Sequence, residues 1–188
     1  MMPIGSQLRH STMRQLNDTI KLTMGRTKPV VSEEYVVGLT DGEGCFYVNM
    51  WNSSLYRMGV GIQMHFHLKM QENDRTLLEK VRNTLGCGAV YFQKERRANH
   101  CQCYRYTVSS QGDILNKIIP FFEKYPLQSV SKQKNFGIFC QIARLLKAKK
   151  HLTEEGVQQI RQLKSLMNLK LSDSRSAGNP LATSKAVK

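Results

Sequence analysis

Apolar and polar positions alternate with a period of two between residues 62 and 70. Ile62, Met64, Phe66, Leu68 and Met70 take every second place, with Gln63, His65, His67 and Lys69 between them. Successive side chains of a strand point to opposite faces, so this run is a strand with one apolar and one polar face. The stretch from Cys45 to Trp51 alternates in the same way, and Asn52-Ser53-Ser54 predicts the turn between the two. Upstream, Ser32 is placed to cap a helix whose first turn carries Glu33 and Glu34, acids that suit the positive helix end. That helix stops at Asp41-Gly42-Glu43-Gly44. Asp74 is expected to cap a second helix with Leu77, Leu78, Val81 and Leu85 inward, closed by Gly86-Cys87-Gly88. Two further strands are predicted over residues 89–95 and 102–109, joined by the loop from Glu95 to His100. Helices are predicted near 112–123, 132–149 and 154–168, the last capped by Thr153. The order of helix, two strands, helix, two strands and further helices predicts an α+β domain. Helices cover one face of its antiparallel sheet, and the polar face is left for solvent or a ligand.

At 188 residues with 40% hydrophobic positions, the chain suits one domain with tails. The expected division is a basic extension over residues 1–30 (with a short helix near 12–24), a folded domain over 31–170, and a flexible basic tail over 171–188. No apolar run approaches the roughly 20 residues of a membrane helix. Five cysteines in no framework spacing point to a reducing, intracellular compartment rather than a disulfide scaffold. The Arg- and Ser-containing, acid-poor start also fits a transit peptide. The net charge is +14, and it is unevenly placed. Residues 31–108 carry nine basic and eight acidic groups, whereas residues 109–188 carry fourteen and five. Such an excess implies a polyanionic partner, and no segment pairs its basic face with the strongly apolar one a membrane surface would need.

The chemistry concentrates at Val36-Val37-Gly38-Leu39-Thr40-Asp41-Gly42-Glu43-Gly44-Cys45-Phe46. Gly38 and Gly42, four apart, share one side of the helix, where a partner helix can approach backbone to backbone. Two acids at the helix C-terminus oppose its negative dipole end unless a cation compensates. Glu43, between two glycines at the start of a strand, points away from the core and is free to bind metal. One carboxylate alone holds Mg²⁺ poorly, because the ion also wants waters and phosphate oxygens. Cys101 and Cys103 near His100 lack the spacing of a zinc knuckle.

This stretch resembles the LAGLIDADG signature of homing endonucleases, with Gly38, Leu39, Asp41, Glu43 and Gly44 in register. The resemblance covers about residues 32–168 and implies an αββαββα core whose sheet forms a saddle over DNA. It implies that Glu43 is the metal-binding catalytic carboxylate, that Gly42 offers its carbonyl to the metal, and that Asp41 is structural. It also implies that Lys132, four before Phe136, is the active-site lysine, with Lys134 as the competing choice. A polar active-site position falls at Met70 or Gln71, and Gln71 suits water positioning better. The saddle faces 47/49/51, 63/65/67/69 and 91/93/95 would lie over DNA, with Asn49, Trp51, Gln63, His65, His67, Lys69, Tyr91, Gln93, Arg105 and Lys134 as DNA-binding residues. Single-motif relatives act as homodimers, here through the 32–42 helix, and each copy of the core needs over a hundred residues. The implied activity is Mg²⁺-dependent cleavage of both strands of a long pseudo-palindromic DNA site. The same fold also serves intron-RNA maturases and non-cleaving DNA-binding regulators. Kinship with intron-encoded proteins implies a mitochondrial or chloroplast setting.

Overall fold

Ser32 opens the first helix as its spacing implies: its Oγ accepts the N–H of Tyr35 at 3.2 Å. This helix, α1 (Glu33–Glu43), buries Val36, Val37 and Thr40. In the computed structural model, which describes residues 28–96 and 101–167, α1 begins the unit that starts at Val31. The expected helix at 12–24, the tail at 171–188 and all but the last three residues of the 1–30 extension lie outside the described residues. Helix α1 runs one residue further than the glycines suggested and passes into β1 (Gly44–Asn52) without a loop. The Gly44 N–H bonds the Thr40 carbonyl. A Cβ on Gly44 would sit 2.5 Å from Thr40 Cγ2 and 2.6 Å from its carbonyl oxygen, so only glycine fits this close turn.

Strand β1 pairs antiparallel with β2 (Val60–Gln71), with Gly44 opposite Leu68 and Asn52 opposite Val60. A 3₁₀ turn, Glu72–Asp74, then leads into α2 (Arg75–Leu85). The Asp74 side chain makes no cap hydrogen bond, because the 3₁₀ turn holds its backbone away from extended geometry, with φ −95° and ψ 10°. Strand β3 (Ala89–Gln93) and strand β4 (Cys103–Val108) are both shorter than the alternation predicted. The sheet order is β1-β2-β4-β3, with every pairing antiparallel.

The segment read as one helix over 112–123 is built from three pieces: α3 (Gln111–Asp113), a π-helical turn (Ile114–Ile118) and α4 (Ile119–Lys124). Proline has no N–H for the ladder and crowds the preceding turn. Widening that turn, so that Ile119 N–H reaches the Ile114 carbonyl, lets the chain continue through Pro120. Helix α5 (Val130–Lys147) follows, then a 3₁₀ turn (Lys150–Leu152) and α6 (Glu154–Met167). Thr153 Oγ1 accepts the Gly156 N–H at 3.2 Å, as its capping position implied.

The core lies between the helices and the apolar sheet face. Phe46 sets its ring 5.1 Å from Phe66, 5.5 Å from Phe122, 5.1 Å from Phe136 and 5.3 Å from Phe139. Phe66 is fully buried at the centre of this cluster. Phe66→Ala is expected to cost about 3–5 kcal/mol of unfolding free energy, whereas Leu55→Ala, at a hairpin tip 92% exposed, stays within about 0.5 kcal/mol. Urea denaturation of both variants measures the contrast.

Candidate active site and nucleic-acid interface

Alternation along the strands carries one set of side chains to the face opposite the core. Across β1 and β2, the register aligns Cys45 with His67, Tyr47 with His65, Asn49 with Gln63 and Trp51 with Gly61. Further along β2, Lys69 aligns with Arg105 and Tyr91, and Gln71 with Cys103 and Gln93. All the strand residues predicted to read DNA therefore share one face. Position 95 does not belong to a strand: Glu95 leaves β3 and pairs with Lys69 at 3.4 Å, while its N–H bonds the Gln102 side chain at 3.0 Å. Lys69, expected as a reader, thus has its charge engaged within the chain. Cys45, Cys103 and Thr107 belong to the same face, and the parity of Tyr47 and Arg105 was the signal that identifies them. Trp51 covers Gly61, where a Cβ would lie 2.4 Å from the indole.

The face carries polar groups without internal partners. Arg105 Nε and Gln93 Oε1 are both buried and have no hydrogen bond among the described residues. Burial costs such groups several kcal/mol at most and at least about 1, so an external donor and acceptor would be bound favourably there. Burial, and then the Arg105 guanidinium, depress the basicity of His65. The same causes, with smaller contributions from His65 and Lys132, push His67 down to about 4. Both imidazoles are neutral at physiological pH and so offer one donor and one acceptor each rather than a charge.

The corner where α1 meets β1 gathers the motif residues. Glu43, the last residue of α1, is exposed and has no hydrogen bond or ion pair among the described residues. Lys132, in the first turn of α5, donates from Nζ to the Gly44 carbonyl. Phe136, one turn further, packs on Phe46, which is why a lysine four residues before that aromatic reaches the start of β1. Lys134 is exposed and makes no such contact. Asp41 turns the other way: Oδ2 accepts the Gln128 N–H at 2.8 Å and Oδ1 the Ser129 N–H at 3.1 Å. Asp41 therefore ties the C-terminal end of α1 to the segment that starts α5, a long-range role that local spacing gave no sign of. Burial raises the Cys45 thiol, an effect that Lys132 and Arg105 oppose. Gln71 shares the polar face and lies three residues beyond the Gly44–Leu68 rung, about 10 Å at roughly 3.3 Å per residue. Met70 packs against the core, so the water-positioning alternative at that residue is set aside.

The donors at this corner suit a hard divalent cation. The Glu43 carboxylate is free, and carbonyls in the last turn of a helix, Gly42 among them, lack intrahelical donors. No group of three or more His, Cys, Asp or Glu side chains gathers among the described residues. One copy of the corner thus supplies part of a coordination shell, and waters, phosphate oxygens or a second carboxylate must complete it.

A family model described as LAGLIDADG endonuclease matches residues 36–143. "Probable intron-encoded endonuclease 3" of Neurospora crassa is 36% identical over 137 residues, covering 72% of this chain and 24% of that protein. The chain spans about a quarter to a third of the length of three of the curated relatives it matches. Among solved structures, the homing endonuclease I-TnaI is 30% identical, with a TM-score of 0.66 over 77% of this chain and 93% of I-TnaI. I-SmaMI, bound to an uncleaved DNA target in the presence of calcium ions, is 26% identical. It gives a TM-score of 0.66 over 83% of this chain and 54% of that one. No helix among the described residues is long and apolar enough to cross a membrane.

Two outcomes follow from the corner and the face. Between the folded value of His67, about 4, and its ordinary 6.5, the unfolded chain binds more protons. The stability that His67 contributes is therefore fully present above pH 6.5 and is lost as pH falls through this window. An NMR titration should place the His67 midpoint near 4, and His67→Gln should flatten the stability slope, leaving the smaller share of His65. Asp41→Ala frees two backbone N–H groups and is expected to cost about 1–2 kcal/mol by thermal or urea unfolding.

Proposed function

We propose, from the premise that this chain belongs to the LAGLIDADG endonuclease family, that it is a site-specific homing endonuclease. In this reading it breaks both strands of a long pseudo-palindromic DNA site, with a divalent cation and a second copy of the fold. The observation that carries the reading is the corner itself: a Glu43 carboxylate with no partner among the described residues, one residue before the Gly44 carbonyl that Lys132 holds, at the edge of a polar four-stranded face. The twelve residues of β2 extend about 40 Å at roughly 3.3 Å each, near the 34 Å of one DNA turn. Asn49, Gln63, His65, His67, Tyr91, Gln93 and Arg105 offer mixed donors and acceptors, as base edges in the major groove require.

The second copy is supported by the surface of α1. Gly38 and Gly42 have open space above them among the described residues, and Tyr35 beside them is 48% exposed. A groove of about 310 Å³ runs beside Gly38, with Lys124, Tyr125 and Gln128 on its other side. A neighbouring α1 packed there brings two Glu43 carboxylates together, and their mutual repulsion is relieved by divalent cations. I-TnaI, matched over 93% of its length, supports one copy of this fold as a homing-endonuclease subunit. An organelle is the proposed setting, in keeping with the intron-encoded fungal relative.

Glu43 and the Gly42 carbonyl would hold the cation, Mg²⁺ being the proposed ion. When bound, it supplies Lewis-acid polarisation of the phosphate and lowers the pKa of water. Lys132, anchored on the Gly44 carbonyl, keeps its remaining N–H bonds for the charge that develops on the phosphate. Gln71 would orient water at the rim of the site.

Cleavage of a selected target duplex in Mg²⁺ tests this. Glu43→Gln should abolish cleavage while leaving DNA binding intact, and Lys132→Met should lower kcat by roughly 10²–10³. Mixing wild-type and Glu43→Gln chains should yield nicked products, one strand cut per active copy. Full double-strand cleavage by Glu43→Gln would remove the mechanism.

A further inference from the structure

Strand β1 is one of the two edge strands of the sheet, and α6 lies beside it. Two cavities mark the seam. One of about 310 Å³ is lined by Met50, Trp51 and Asn52 of β1 and by Arg161, Lys164 and Ser165 of α6. A smaller one, about 110 Å³, brings Lys164 against Cys45 and Tyr47. Lys164 Nζ stands 5.9 Å from the centre of the Tyr47 ring, which is on the polar face and 43% exposed. Arg161, Lys164 and Ser165 are spaced three and four apart, so they form one patch on the helix. Neither cation has an ion pair among the described residues, and no carboxylate lines either cavity. The acids of α6, Glu154 and Glu155, are in its first turn, about 10 Å along the axis from Arg161 at 1.5 Å per residue.

We propose that Arg161 and Lys164 of α6 form a phosphate clamp outside the sheet, gripping the DNA backbone that runs along the free edge of β1. This rests on the reading of the polar face as a DNA saddle. Four strands have three gaps of about 4.8 Å, or about 14 Å between the outer strands. A major groove is about 12 Å wide, so the sheet spans the groove and its bounding phosphates pass along the edge strands, within reach of long side chains standing beside them. On the β1 side, the element standing there is α6. An arginine fork and a lysine point charge are the donors a phosphodiester accepts from, whereas the Ser165 hydroxyl already donates to the Gln162 carbonyl at 2.7 Å. The clamp contacts backbone alone, so it strengthens binding without reading sequence.

Binding of the full chain to its target duplex and to an unrelated duplex, measured across a salt series, tests the clamp. Each phosphate contact contributes about −0.9 to the slope of log K against log salt. Arg161→Gln/Lys164→Gln should make the slope shallower by about 2 on both duplexes, weakening them equally. Lys80→Gln/Arg82→Gln on α2 removes the same charge and should leave the slope unchanged. Gln158→Lys, on the exposed side of α6 one turn before Arg161, should steepen it by up to one contact. A wild-type slope in the Arg161/Lys164 variant, with Gln158→Lys also without effect, overturns the clamp and leaves the saddle standing. A wild-type chain that binds neither duplex overturns both. Loss confined to the target duplex would assign the pair to sequence reading and would equally overturn the clamp.

Discussion

The direct passage of α1 into β1 at Gly44 is the constraint on which the rest of the site depends. A helix and a strand joined without a loop leave no free dihedral between them, so the direction of Glu43 is set by two packed elements. Gly44 makes the junction possible because no other residue fits against Thr40. Its N–H is held by Thr40 and its carbonyl by Lys132, so the peptide groups on both sides of Gly44 are engaged. Asp41 adds a tie one turn earlier, to the backbone at Gln128 and Ser129. The carboxylate is unpaired among the described residues, while the backbone that carries it is fixed through Gly44 and Asp41, which suits a metal ligand.

The aromatic cluster under the sheet extends this constraint to the lysine. Phe46 is two residues from Gly44 and packs on Phe136, one helical turn from Lys132. Core packing and cation placement are therefore one event: the contact that buries Phe136 is also the contact that aims Lys132. Such coupling places a charged group precisely enough for chemistry without any dedicated loop, at the cost of sensitivity to changes deep in the core.

The opposite face of the sheet follows a different logic. Its centre holds Arg105 among two histidines whose basicity burial and that guanidinium suppress. With Lys69 engaged by Glu95, the face carries less free charge than its composition suggests. Hydrogen-bonding capacity is concentrated at its centre and unpaired cations at its margin, on α6. A polyanion held by its rim and read by its interior would meet this distribution in the matching order.

Much of this was legible before any coordinates. Strand alternation assigned Gln63, His65 and His67 to one face and Phe66 and Leu68 to the other, because side-chain direction repeats with the local backbone period. The same period puts Met70 on the apolar face and Gln71 on the polar one, and β2 does continue to Gln71. The motif around Glu43 pointed to the corner through residue types that few other structures need together. Local signals misled where a neighbour intervened: Asp74 loses its capping role to a 3₁₀ turn, Pro120 forces a π-turn into a helix, and Glu95 leaves its strand for Lys69. The sequence by itself determined the faces and the fold class, which are written in short-range periodicity, and the resemblance of its motif singled out Glu43 as the candidate carboxylate. Tertiary structure alone decided that Lys132 rather than Lys134 meets Gly44, that Asp41 holds the start of α5, and that α6 flanks β1. Lys132 and Gly44 are 88 residues apart, and contacts over that span are chosen by the packing of the core.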